Sequence, residues 1–146
     1  MFNNRIYLMN NLTPQNKNSV IIADLTMKRV FTLDLDTFPS SSRINYSLTQ
    51  HNFKMYVFGG LDQKSRTLNS MDVFDVCTYK WETIEGRGRV PSPRQGHATI
   101  VVDQYTMYLL GGSGDGSLLE TRPIEDAVYK LDIDLNEWMP VSVNGP

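Results

Sequence analysis

The stretch Phe53-Lys54-Met55-Tyr56-Val57-Phe58-Gly59-Gly60 is an apolar strand that ends in a glycine pair, and it returns as Thr106-Met107-Tyr108-Leu109-Leu110-Gly111-Gly112. The two pairs lie 52 residues apart, so the chain is built from repeats. Working outward from the first pair, residues 44–49 follow Arg43 and form a hairpin with the glycine-terminated strand. Beyond it, Met71-Asp72-Val73-Phe74-Asp75 pairs with Trp81-Glu82-Thr83-Ile84 across a short turn, which makes four strands over 43–85. A second unit, 94–141, runs from Arg94-Gln95-Gly96-His97 through Gly111-Gly112 and Val128-Tyr129-Lys130-Leu131-Asp132 to Glu137-Trp138.

An Asp followed six residues later by a large apolar residue fixes the register, as Asp24 to Val30, Asp75 to Trp81 and Asp132 to Trp138. The first of these belongs to a third, decayed copy over 1–36. There Arg5-Ile6-Tyr7-Leu8-Met9 ends in Asn10-Asn11 instead of two glycines, and Ser19-Val20-Ile21-Ile22-Ala23-Asp24 and Val30-Phe31-Thr32-Leu33 follow. Asn is the residue other than glycine that best tolerates positive φ, so the turn survives the replacement. This copy supplies strands two, three and four and lacks strand one. Segments 37–42 and 85–93, rich in Pro, Ser, Gly and Arg, read as connectors, and 142–146 begins another. The Asp residues step by 51 and 57, which fits a four-stranded propeller blade of about 50 residues rather than one of 40 to 45.

Composition removes several classes of function. Fourteen Lys plus Arg against sixteen Asp plus Glu leave a net charge of −2, so neither nucleic acid nor an anionic membrane is an expected partner. With 40% hydrophobic and 10% aromatic residues the chain should fold. Cys77 is the single cysteine and cannot form an internal disulfide. No long apolar run follows the first residues, and a reducing, cytoplasmic setting is the expectation. The sequons Asn11-Leu12-Thr13 and Asn45-Tyr46-Ser47 carry no argument without a secretory signal.

A strand ending in Gly-Gly, an aromatic-Asp pair and a Trp six residues after the Asp together resemble the kelch repeat. The resemblance is strong over 43–141 and weaker over 1–36. It departs at Asn10-Asn11, at Val30 in the place of a Trp, and at Leu131 where Phe74 supplies the aromatic. Ser92-Pro93-Arg94-Gln95-Gly96-His97 resembles the opening of kelch proteins built largely of such repeats. The resemblance implies an all-β fold of four-stranded antiparallel blades. Propellers close with 4 to 8 blades, and two complete blades with three strands of another form an open ring, to be completed by further blades or by self-association.

The glycine pairs, Trp81 and Trp138 are periodic and therefore architectural. His51 and His97 have no cysteine or second histidine close in sequence, so neither metal nor cofactor is expected. Asp72, Asp75, Asp132 and Asp134 suggest a carboxylate cluster, but Asp75 and Asp132 are repeat residues suited to bonding turn amides. The glycine-rich 111–116 lacks the helix and lysine of a phosphate loop.

Arg43 and Arg94 stand at equivalent blade openings. The resemblance implies a place near the channel mouth, where kelch proteins capture acidic or carboxylate-ending peptides, and the planar guanidinium suits that task. The alternative is that Arg94 ties down a neighbouring connector. If both arginines bind peptide, replacing them should abolish binding without lowering stability. The loop 113–125, about five residues longer than its counterpart, adds Asp115, Glu120 and Arg122 as candidates for loop binding. The implied function is non-enzymatic binding of a protein or peptide partner through inter-strand loops, in substrate recognition for ubiquitin ligation, the cytoskeleton or trafficking. The alternatives are a piece of a kelch-propeller enzyme, resembling galactose oxidase or the iron-dependent specifier proteins, or a remnant without its own activity.

Overall fold

The computed structural model describes residues 4–9, 19–35, 42–114 and 127–142. Asn10-Asn11, most of the 37–42 connector, 115–126 of the long loop and 143–146 lie outside the described residues. All regular structure among the described residues is β. The first sheet is β1 (Arg5–Met9), β2 (Ser19–Asp24) and β3 (Arg29–Asp34), antiparallel and in that order. The second is β4 (Ser47–His51), β5 (Lys54–Phe58), β6 (Met71–Asp75) and β7 (Lys80–Ile84), again in chain order. The third contains β8 (Arg87–Gly88), β9 (Ala98–Val101), β10 (Thr106–Leu110), β11 (Val128–Asp132) and β12 (Glu137–Pro140), in the order β8-β12-β11-β10-β9.

The spacing of Asp and Trp has a local cause. Asp24, Asp75 and Asp132 each close a hairpin, pairing with Arg29, Lys80 and Glu137. In each, one carboxylate oxygen accepts two turn amides: Thr26 and Met27, Cys77 and Thr78, Asp134 and Leu135. The residue four positions after the Asp takes positive φ each time, as Lys28, Tyr79 and Asn136. The Asp side chain thus caps a turn whose backbone must bend left-handed, and the partner strand starts one residue later.

The three sheets pack in chain order. Val20, Ile22 and Leu35 of the first copy meet Met55, Phe74 and Val76 of the second. The other face of the second sheet, with Tyr56, Phe58, Met71 and Val73, meets Met107, Leu109, Tyr129, Leu131 and Trp138. Trp138 is 1% exposed and its ring centroid lies 5.2 Å from that of Phe58. Val30, at the equivalent position of the first sheet, is 72% exposed, because its face has no preceding sheet among the described residues. Ile6 and Leu8 share that open face, and Ile100, Leu110 and Met139 line the opposite open face of the third sheet.

Two features differ from the sequence reading. The 85–93 connector is not wholly irregular: β8 lies within it and pairs in parallel with β12, giving the third sheet a fifth strand. β4 starts at Ser47, later than the sequence suggested, because Asn45 takes positive φ while Ile44 bridges to Leu61.

The glycine pairs require glycine for two separable reasons. Gly59 and Gly111 both have φ near +65° (63° and 66°), yet a Cβ on Gly59 would lie 2.6 Å from Arg94 O and 2.8 Å from the His97 ring, whereas one on Gly111 meets nothing within 4 Å among the described residues. Gly59 faces a following sheet, and Gly111 has no such sheet beyond it among the described residues. Gly111→Ala is therefore expected to cost only the left-handed strain of about 1–2 kcal/mol. Gly59→Ala should cost about 1–3 kcal/mol more, from overpacking at the seam between sheets. Equal costs in paired denaturant titrations would contradict the packing of the second sheet on the third.

Candidate functional site

The two arginines occupy equivalent positions and do equivalent work. Arg43 donates from Nη1 to the carbonyls of Gly59 and Ser70, both at 3.2 Å, and from Nη2 to Ser70 Oγ at 3.0 Å. It also forms an ion pair with Asp72, whose second oxygen accepts from the Thr83 hydroxyl at 2.6 Å. Burial pulls the Arg43 pKa down, and the Asp72 charge opposes that. Arg94 donates to Gly111 O at 3.0 Å and to the carbonyl and hydroxyl of Ser92 at 3.1 and 3.2 Å, with its guanidinium 5.2 Å from the centre of the Tyr129 ring. Each arginine thus holds the carbonyl of the first glycine in its own sheet's pair. Tyr129 stands where the second sheet has Asp72, and there a ring face replaces the carboxylate.

Arg43 and Arg94 are 1% and 0% exposed, so neither guanidinium presents donors to solvent. The geometry favours the connector-tying role, since Ser92 lies in the 85–93 connector. It also reverses the expected effect on folding: replacing these arginines strands buried carbonyls and, for Arg43, a buried carboxylate. The loop candidates Asp115, Glu120 and Arg122 lie outside the described residues.

His97 links the second and third sheets. Its Nε2 is hydrogen-bonded to Ser47 Oγ at 2.8 Å, and its ring meets Phe58 edge-on with centroids 5.4 Å apart. Burial, reinforced by the nearby Arg94 charge, lowers its pKa to about 4. The folded chain then holds His97 neutral while an unfolded chain protonates it near pH 6.5, so the unfolded state binds more protons between those values. Stability should fall as pH drops from about 6.5 to about 4, by on the order of 3 kcal/mol from this residue. Urea titrations of wild type and His97→Gln across that window test this: the slope should flatten in the variant.

Along the same seam, on the side formed by the hairpin turns, a polar cleft of about 650 Å³ opens between β7 and the 133–136 turn. A smaller hollow of about 360 Å³ continues it beside the 51–53 turn, and both share Lys54, Tyr56, Ile133 and Asp134. The register explains the walls. Tyr56, Val73 and Glu82 lie in one cross-strand row, with Lys54 and Asp75 paired in the next alternate row of the same face. Asp134 is carried on the turn that Asp132 caps, while Glu85 and Arg87 come from the connector. Tyr56 is 5% exposed and its ring belongs to the core. Burial raises the Tyr56 pKa, with the Asp134 charge adding to it, so the phenol stays protonated.

The remaining candidates are dispersed. Asp72 is buried against Arg43, Asp75 and Asp132 cap turns, and only Asp134 lines the cleft with its side chain uncommitted to a turn. Cys77 is exposed in the 76–79 turn, and His51 bonds Gln104 O at 2.9 Å. Among the described residues no three His, Cys, Asp or Glu side chains gather as a metal site, and no helix is long and apolar enough to cross a membrane. Sequence reasoning missed the cleft. Tyr56 reads as one more core aromatic of a repeat strand, and only the pairing of β5 with β6 and β7 sets it beside Glu82.

Comparison with known proteins agrees with the repeat. A family model described as the KLHDC2/KLHL20/DRC7 Kelch-repeats domain matches residues 2–146. Acyl-CoA-binding domain-containing protein 5 of Arabidopsis thaliana is 31% identical over 100 residues, 68% of this chain and 14% of that protein. Rho GTPase-activating protein gacHH of Dictyostelium discoideum is 33% identical over 68% of this chain and 6% of its own length. Kelch domain-containing protein 3 of Bos taurus is 29% identical over 70% of this chain and 26% of that protein. The chain thus corresponds to only a small part of these relatives.

Proposed function

Since the chain belongs to the kelch-repeat family, we propose that it is a non-enzymatic interaction module that binds a protein or peptide through its inter-strand loops and connectors. One observation supports this most: the polar residues that recur in the repeats are committed to the scaffold. Asp24, Asp75 and Asp132 cap turns and Arg43 and Arg94 hold glycine carbonyls, while His97, where the second sheet's unit has Tyr46, fastens one sheet to the next. Recognition then falls to what varies between the units: the 113–125 loop, the 85–93 connector and the seam it borders. Arg43 and Arg94 contribute to this surface by fixing its backbone.

The setting is a reducing compartment, in which Cys77 stays a free thiol. Assignment to ubiquitin ligation, the cytoskeleton or trafficking follows from the partner. Selection of the purified chain against a displayed random-peptide library, followed by calorimetric titration of the enriched peptides, tests the reading. Saturable one-to-one binding is expected. Failure to enrich any peptide, together with copper or iron in elemental analysis, would favour the oxidase-like or specifier-like alternative.

A further inference from the structure

Two apolar faces stay uncovered among the described residues, one on the first sheet and one on the third. They are the two complementary halves of a seam. Inside the chain a seam joins one face of a sheet to the opposite face of the next: Phe58 and Val73 of the second sheet meet Leu131 and Trp138 of the third. On the uncovered face of the third sheet, Leu110 stands where the second has Phe58. On the uncovered face of the first, Val30 stands where the third has Trp138. The sizes are exchanged as well. Ile100 and Met139 replace Thr49 and Glu82, so the third sheet gains apolar bulk, while Ala23 and Val30 replace Leu131 and Trp138, so the first gives up bulk. Lys130 takes the place of Val73 in the third sheet. The Tyr105 amide and, with it, the Lys130 charge hold the Asp103 carboxyl low, so the ammonium lies toward the β9–β10 turn and its stem crosses the face.

We propose that these faces cover each other between two copies of this chain: the third sheet of each protomer packs on the first sheet of its partner, and two chains close one ring. Closure selects the number of copies. Propellers close with 4 to 8 blades, and with three sheets in each chain only a pair of chains, giving six, falls within that range. A head-to-tail contact that closes after two copies leaves neither face exposed, whereas one that does not close grows into filaments. In the ring Leu110 of one protomer meets Val30 of its partner, as Phe58 meets Trp138 inside the chain with ring centroids 5.2 Å apart. The contact forms twice, and it leaves the 85–93 connector and the seam beside it free. The inference goes beyond the interaction-module reading and does not depend on which peptide the loops bind.

Sedimentation velocity of the full chain over a range of concentrations tests this, and one species of twice the chain mass is expected. Val30 and Leu110 are 72% and 43% exposed in the single chain, so Val30→Asp and Leu110→Asp should each keep the far-ultraviolet circular dichroism of the wild type. Each should raise the dimer dissociation constant about a hundredfold or more, because either change places a carboxylate in both contacts. Dissociation by only one of the two would mean that like faces pair, and would overturn the ring. A ladder of trimers and larger species would show a contact that does not close, and a folded monomer at every concentration would assign the faces to sheets or partners outside this chain; either result overturns the proposal. Should one variant fail to fold, Leu8→Lys and Met139→Lys make the same test at exposed positions on the same two faces.

Discussion

Asp72→Ala is expected to destabilise the chain by about 3–5 kcal/mol, because it leaves the Arg43 guanidinium charged, desolvated and without its counter-ion. Asp72 and Arg43 are 0% and 1% exposed, and their ion pair joins β6 to the residue that opens the second unit. Thr83 would also lose the acceptor of its hydroxyl on β7. For a chain of this length the loss corresponds to a melting-temperature drop of roughly 6–20 °C. Arg43→Met combined with Asp72→Leu should recover part of the loss, since an apolar pair removes the stranded charge. Recovery stays incomplete because the Gly59 and Ser70 carbonyls lose their donor. A single variant that melts with the wild type would show that Arg43 is solvated and open to a ligand.

Trp138→Ala is the second large effect, at about 3–5 kcal/mol for a big buried aromatic. Trp138 fills the seam between the second and third sheets against Phe58, and the close approach of Gly86, whose Cβ would come within 2.9 Å of the indole, shows how little room the site has to collapse. Trp81 is only half-buried and packs on Phe74 of its own sheet, 5.2 Å between centroids. Trp81→Ala should therefore cost less. Chemical denaturation of the two variants side by side separates them, and equal losses would contradict the unequal burial.

These two residues also show how far the sequence could be read. Trp138 stands six residues after an Asp, a spacing that one capped turn imposes, so a periodic pattern was enough to place it in a core. The same holds for the glycine pairs and for the strands of the second and third units. Asp72 carries no such signal. Its partner lies 29 positions away, and its equivalent in the next unit is Tyr129, so the repeat hides the ion pair. β8 was invisible for another reason: Arg87 and Gly88 alternate nothing and pair only with a strand 50 residues later. Gly88 is fixed there by positive φ and by Trp138 O, 2.6 Å from where its Cβ would be.

The arginines teach a related lesson. At equivalent blade openings they could be read as peptide ligands or, with more weight, as ties, and only burial and partners tell the two apart. Conversely, Tyr56 looked like packing because its neighbours on β5 are packing. What distinguishes it is the wedge left where two sheets diverge beside the 133–136 turn. That wedge depends on tertiary arrangement and on no local pattern.

The most direct measurement is amide hydrogen exchange of the full chain with and without a peptide enriched from the random library. Binding through loops, connector and seam should slow exchange in 51–54, 85–93, 113–125 or 133–136, leaving β2 and β6 unchanged. Slowing confined to β1, β3 and β9 would place the partner on the open apolar faces of the terminal sheets and contradict the account.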